Sequence, residues 1–307
     1  MTIPSQTTGD ARKVSPGPTL YLVQPGAWAQ FWGLLGRAFV ASYEDGCFGI
    51  AKGAAYSSLL AFFPVLTSIT AILVQANAEA VSRVLSQFLF EVVPPGSEDL
   101  VQYEFTVRGQ RPLWILVFAT LLSIWAASGA MLSLMEGFQA AYRLPSGRPF
   151  LKQRWVAVLL VLIVALPAIG VSLAILFGSR TEAMVVGWLG VARDGPELRG
   201  WLALLGRAIR YVFATGTIVF VTGLLYYVGP NQPMKFGSVW PGAMLATSLW
   251  LLATTGFAWY VRNIANYNVL YGSIGAVIAL LIWMYLLAVI ALYGCEFNAE
   301  RERLHLR

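Results

Sequence analysis

The sequence predicts an all-α polytopic membrane protein with six transmembrane helices plus amphipathic interfacial helices. Composition is the first reason: of 307 residues, 58% are apolar and 12% charged, with a mean hydropathy of +0.67. Soluble chains carry about a quarter charged residues, because a core must be covered by polar surface. The second reason is length, since six apolar runs each reach the roughly 20 helical residues needed to cross about 30 Å of hydrocarbon. The third is periodicity. The runs show no strand-like alternation, and in lipid a helix satisfies its backbone hydrogen bonds within the segment itself.

Taken in order, residues 1–24, beginning MTIPSQTTGDARKVSPGPTL, are polar and rich in Pro, Gly, Ser and Thr, which predicts a disordered tail and no apolar leader. From 25 to 46, Trp28, Phe31, Trp32, Leu35 and Phe39 recur at the spacing of one helix face. With Gln30, Arg37, Glu44 and Asp45 beside them, they predict an amphipathic helix at the membrane interface. Residues 47–300 form the six-helix transmembrane domain, with spans at about 53–75, 113–135, 155–177, 208–228, 241–261 and 273–295. Residues 301–307 read as a basic cytoplasmic tail.

Two connections are long. Between the first two spans, Val81, Val84, Leu85, Phe88, Leu89 and Val92 make an apolar stripe opposite Glu79, Arg83, Gln87 and Glu91, an amphipathic helix ended by Pro94 and Pro95. Residues 178–207 hold Trp188, Trp201 and several charges, and are expected to cap the bundle on the same side. Pro64 and Pro167 should kink the first and third spans. Gly129, Ser133, Gly137 and Ala141, at steps of four, should let a neighbouring backbone approach closely. Trp114, Trp155, Trp240, Trp259 and Tyr260 read as an interfacial aromatic belt.

Lys and Arg set the orientation. The short loop SGRPFLKQR concentrates Arg148, Lys152 and Arg154, and dense charge in a short loop resists translocation. Both termini are therefore expected in the cytoplasm, and the net charge of +6 reflects topology rather than nucleic-acid binding. One histidine, His305, and two cysteines, Cys47 and Cys295, do not suffice for His-based triads, zinc sites or a disulfide framework. No G-x-x-x-x-G-K-[ST] sequence is present. Neither an enzyme nor a cofactor is expected.

Charged groups at span ends supply the candidate site. Glu136 closes the second span and Glu296 the sixth, while Lys52 opens the first and Arg154 the third, so all four are expected on one inner rim. Lys52 or Arg154 are the natural partners for such a carboxylate, and Tyr56 and Asn298 complete the polar cluster. A carboxylate at such depth faces a cavity or a partner, which leaves two readings: a substrate- or proton-coupling site, or structural ion pairs that lock helix ends together. Arg210 and Arg262 are candidate anchors for an anionic headgroup, by snorkelling.

Asp45 followed by AAYSSLLAFFP (54–64), MEGFQAAY then RPFLKQR, PGAMLATSLW, and YGSIGAVIALLIWMYLLAVIALYGCEFNAE together resemble the YihY/virulence factor BrkB family of bacterial inner-membrane proteins, once labelled ribonuclease BN. The likeness runs from about Phe31 to Glu302. One departure is Gln139, where many members carry asparagine. The resemblance implies a six-span inner-membrane fold with cytoplasmic termini. It also implies a transporter, an exporter or flippase of a lipid-like or small organic substrate, whose partners are membrane lipids and that substrate. The other readings are a non-transporting scaffold in envelope maintenance and, following the old label, a ribonuclease; that label is regarded as a misassignment.

Overall fold

A computed structural model of the protein describes residues 27–75, 113–145, 148–188, 196–263 and 273–305. These form seven helices, and no strand occurs among them. In chain order they are α1 (Ala27–Glu44), α2 (Cys47–Gln75), α3 (Leu113–Ala141), α4 (Phe150–Trp188), α5 (Pro196–Val228), α6 (Trp240–Asn263) and α7 (Ser273–His305). All but α1 contain a stretch long and apolar enough to cross a membrane. The expected amphipathic helix around 81–92 lies outside the described residues.

Helix boundaries follow local chemistry. Asp45 and Gly46 break α1 from α2, and Gly46 sits at φ +71°, a left-handed conformation that favours glycine. The first transmembrane helix thus begins at Cys47, six residues before the apolar run that announces it. At the end of α3, Arg143 takes φ +52° while its N–H donates to Ala140 O and the Leu144 N–H donates to Gln139 O. That pair of bonds closes a Schellman cap, with arginine where glycine is usual. Pro196 and Pro241 stand in the first turns of α5 and α6, where a missing N–H removes no helical bond. Pro64 and Pro167 lie inside continuous helices.

The connection expected at 178–207 is mostly helix. Helix α4 has 39 residues and α5 has 33. At 1.5 Å per residue, α4 is about 58 Å long, nearly twice the hydrocarbon thickness.

Helix α7 is the centre of the bundle and packs against α1, α2, α3 and α6, while α3, α4, α5 and α6 follow one another as neighbours. The best-packed region surrounds its C-terminal half. There Phe138, Tyr226, Val239, Leu292 and Cys295 are buried together, with Phe138 and Tyr226 edge to face at 5.4 Å between ring centroids. Cys47 and Cys295 are free thiols in this same cluster. A second cluster, Phe257, Ala279, Leu280 and Trp283, holds the N-terminal half of α7.

Small residues set the helix spacing. The expected stripe on α3 meets α2 and α7: a Cβ on Gly129 would touch Ser57, one on Gly53 would touch Ser133, and Gly137 receives the Leu292 side chain. The closest approach joins α6 to α7. A Cβ on Gly242 would stand 2.1 Å from the Gly294 carbonyl oxygen, and one on Gly294 would stand 2.8 Å from Gly242 O. Only glycine fits at both positions.

Helix α1 turns its aromatic face outward. Trp28 is 77% exposed and Trp32 65%, whereas Ala38, Ala41 and Ser42 are buried. Its anchors on α7 are the edge-to-face contact of Phe31 with Phe297 and a hydrogen bond from Tyr293 Oη to Leu35 O at 3.0 Å.

Candidate polar site at the C-terminal end of helix α7

Helix α7 stays apolar for more than 20 residues and then carries Glu296, Asn298, Glu300 and Arg303. Glu296, Glu300 and Arg303 are spaced i, i+4 and i+7, which places them on one face. Glu296 is fully buried. Its Oε1 accepts from Arg303 Nη1 at 3.2 Å, and Arg303 also pairs with Glu300. The same guanidinium donates to Ala141 O at the end of α3 and reaches Asp45 in the α1–α2 turn at 4.0 Å. Asp45 is held in addition by Arg143 at 3.1 Å. Arg303 therefore joins α3, α7 and the α1–α2 turn through one planar fork, a geometry that a lysine does not reproduce.

Asn298 performs a second fastening. Its Oδ1 accepts from Gly242 N–H at 2.7 Å, and its Nδ2 donates to Val239 O at 2.9 Å. Gly242 lies in the first turn of α6, where backbone N–H groups have no helical acceptor. The side chain thus caps α6 from α7, beside the Gly242–Gly294 crossing. Tyr226 Oη adds a bond from α5 to Ala291 O at 2.7 Å. Arg148 closes the far side, donating to Asn231 Oδ1 at 2.7 Å and to Val228 O at 3.2 Å at the end of α5.

Several buried polar atoms here and along α6 have no hydrogen-bond partner among the described residues. They include Glu296 Oε2, Gln139 Nε2 and Tyr142 Oη, and, along α6, Thr247 Oγ1, Trp250 Nε1 and Thr254 Oγ1. The three on α6 follow at i, i+3 and i+7, a stripe of one helix face over about 10 Å. Burial also raises the Tyr142 phenol above its ordinary pKa, with smaller contributions from neighbouring negative charge.

The charges expected on one rim do not pair with one another as anticipated. The partner of Glu296 is Arg303, from its own helix, rather than Lys52 or Arg154. Arg154 turns to Trp125, donating to its carbonyl at 2.8 Å with the guanidinium carbon 3.9 Å from the ring centroid. Glu136, Lys52 and Tyr56 are exposed, and Glu136 and Lys52 form no ion pair among the described residues. Asn298 does stand at the site, as the α6 clamp. Arg210 is half-buried on α5. Arg262 falls in the last turn of α6, and its side chain lies outside the described residues. Residues 301–305 continue α7 rather than forming a tail.

Sequence reasoning missed Arg303, Asp45 and Arg143. The signal for Arg303 was its two-turn spacing from Glu296. For Asp45 and Arg143 no local signal exists, because the contact spans 98 residues of chain. Among the described residues no group of three or more His, Cys, Asp or Glu is placed to hold a metal ion.

Beside this site runs a groove of about 1080 Å³ between α1, α6 and α7. Phe31, Leu34, Pro241, Met244, Leu245 and Phe297 line its apolar part, and Arg37 and Arg301 its polar part.

Comparison with known proteins is consistent across most of the chain. The ribonuclease-like protein YfkH of Bacillus subtilis (strain 168) is 29% identical over 249 residues, which are 80% of this chain and 86% of that protein. UPF0761 membrane proteins of Alkalilimnicola ehrlichii and Chlorobium phaeobacteroides are 27% and 26% identical over 83% and 80% of the chain. The chain spans about 55% of the length of each of these two relatives. No solved structure matches the chain. The sequence pattern of the virulence factor BrkB family matches residues 38–306. With that match, six candidate spans and membrane-protein relatives, the chain belongs to the virulence factor BrkB family and is a multi-pass membrane protein.

Proposed function

We propose that the chain is a transporter of the bacterial inner membrane, an exporter or flippase that moves a lipid-like or small organic molecule, with both termini in the cytoplasm. The observation that supports it is the set of unpartnered buried polar atoms, from Glu296 and Gln139 at the end of α7 and α3 to Thr247, Trp250 and Thr254 on α6. Unpaired polar groups inside a protein cost about 1–3 kcal/mol each. A membrane bundle that keeps several on one helix face has a use for them, as stations for a polar headgroup or a coupling proton. In this reading Glu296 carries the proton, Arg303 returns its charge to a paired state, and the α6 stripe meets the moving substrate. The proposal contains no enzyme chemistry, no cofactor and no nucleic acid.

Reconstitution tests it. Vesicles containing the purified chain should accelerate exchange of a fluorescent phospholipid analogue between leaflets, or cells with the chain should export an amphiphile that cells without it retain. Glu296→Gln and Thr247→Val/Thr254→Val variants that unfold at the wild-type temperature should lose at least about tenfold of that rate. Folded variants that keep the full rate, or a wild-type chain inert in both assays, would end this reading.

The Arg303 fastening favours a second reading, a static scaffold in envelope maintenance. Under it, Glu296→Gln has no effect on movement of any solute, and envelope defects of a deletion strain are rescued by a transport-dead chain.

A further inference from the structure

Two arginines in the groove between α1, α6 and α7 have no assigned role. Arg37 is exposed and Arg301 half-buried, and neither forms an ion pair among the described residues. Among the described residues the groove lining contains no carboxylate, so the two positive charges stand against a wall that is neutral and, Gln30 and Ser248 apart, apolar. Around Glu296 the same end of the bundle pairs Arg303 and Arg143 with acids. The groove reverses that pattern.

Its shape matches an amphiphile. Ser248 lies two turns along α6 from Pro241, and Phe297 lies two turns back along α7 from Leu304, so the cleft runs about 10 Å along both helices. Met244 stays 57% exposed in its wall. The edge-to-face contact of Phe31 with Phe297 fixes α1 at this distance from α7, which keeps the cleft open rather than collapsed. An acyl chain covers such a wall at no polar cost, and a headgroup with negative charge satisfies both guanidinium forks.

We infer that this groove binds an anionic glycerophospholipid, with the phosphate between Arg37 and Arg301 and an acyl chain against Met244, Leu245 and Phe31. The juxtaposition of two arginines, without an ion pair or a lining carboxylate among the described residues, with a mostly apolar cleft carries the assignment, and it holds whether or not the chain transports anything. The lipid stabilises the seating of α1 on α7. Zwitterionic lipid offers a neutral headgroup and gains little from the arginines.

Native mass spectrometry of the purified full chain with phosphatidylglycerol and phosphatidylcholine of matched acyl chains, added together, is the test. The wild type should retain phosphatidylglycerol about tenfold over phosphatidylcholine. Arg37→Ala/Arg301→Ala should reduce the preference to within about twofold, while Lys152→Ala, at an exposed lysine outside the groove, keeps it. Met244→Trp, which fills the cleft and leaves both arginines in place, should also expel the lipid, so a double variant that fails to fold does not block the answer. Equal retention of the two lipids by the wild type overturns the inference, and so does an unchanged preference in a folded double variant or in Met244→Trp. Displacement of phosphatidylglycerol by equimolar soluble glycerol phosphate would likewise overturn it, by assigning the arginines to a free phosphate.

Discussion

Arg303 is the side chain on which most of the polar architecture converges, and its loss leaves a fully buried Glu296 without a charge partner. Removing one member of a buried pair costs about 3 kcal/mol or more. Arg303→Ala should therefore lower the unfolding temperature in detergent sharply, read by tryptophan fluorescence. Combining Glu296→Gln with Arg303→Met should recover part of the loss, because the fully buried charge is gone and only the partly exposed Glu300 is left without its arginine. Asn298→Leu leaves the Gly242 N–H buried without a partner, while Val239 O keeps only the Ala243 N–H, and should cost about 1–3 kcal/mol in the same assay. At this scale the sequence was half legible. Glu296 and Asn298 stand out because a polar group after a long apolar run needs a reason. Their partners were hidden, since Arg303 reads as part of a basic tail until the helix is known to continue to His305. Glu136 and Lys52 announce themselves as strongly as Glu296, yet a charge at a helix end also has water within reach, and these two are exposed.

Helices expose a different balance between pattern and position. The six spans were legible because hydrocarbon thickness imposes a length that composition alone reveals. Their ends were less so: α2 starts at Cys47 because Gly46 turns the chain, and α4 continues to Trp188 through polar residues that a hydropathy window rejects. Gly46→Ala forces a Cβ into a left-handed conformation and should cost about 1 kcal/mol, a small but measurable drop in unfolding temperature. Arg143→Gly is the converse experiment, for it relieves φ +52° while discarding the ion pair to Asp45. At the α6–α7 crossing the expectation is harsher. Gly242→Ala places a methyl 2.1 Å from a carbonyl oxygen that belongs to a rigid helix, so the two helices must part. That variant should elute as aggregate on size exclusion, whereas Gly256→Ala, at a site with open space, should elute as wild type. The α3 stripe was read correctly as a packing edge, because small residues at steps of four leave few alternatives; which helices it meets required the fold.

For the whole molecule, the α1–α2 turn, the α3–α4 loop, the α5–α6 connection and the end of α7 share one end of the bundle. Under the proposed orientation that end faces the cytoplasm. With Cys47 and Cys295 replaced by alanine, single cysteines at exposed Lys152 and Lys235 should react with an impermeant maleimide only after inner-membrane vesicles are inverted or cells are opened. A cysteine at Trp201, on the N-terminal part of α5, should react in intact spheroplasts. The same end carries the Arg303 fork, the Asn298 clamp and the glycine crossing, while the N-terminal half of α7 rests on Phe257, Leu280 and Trp283. Stems bound near one tip swing most at the other. A rotation of only 10° about that binding shifts helix ends across about 30 Å of hydrocarbon by roughly 5 Å, so, if the proposed transport holds, the greasy contacts of Phe257, Leu280 and Trp283 are where a lever of this kind would give way first.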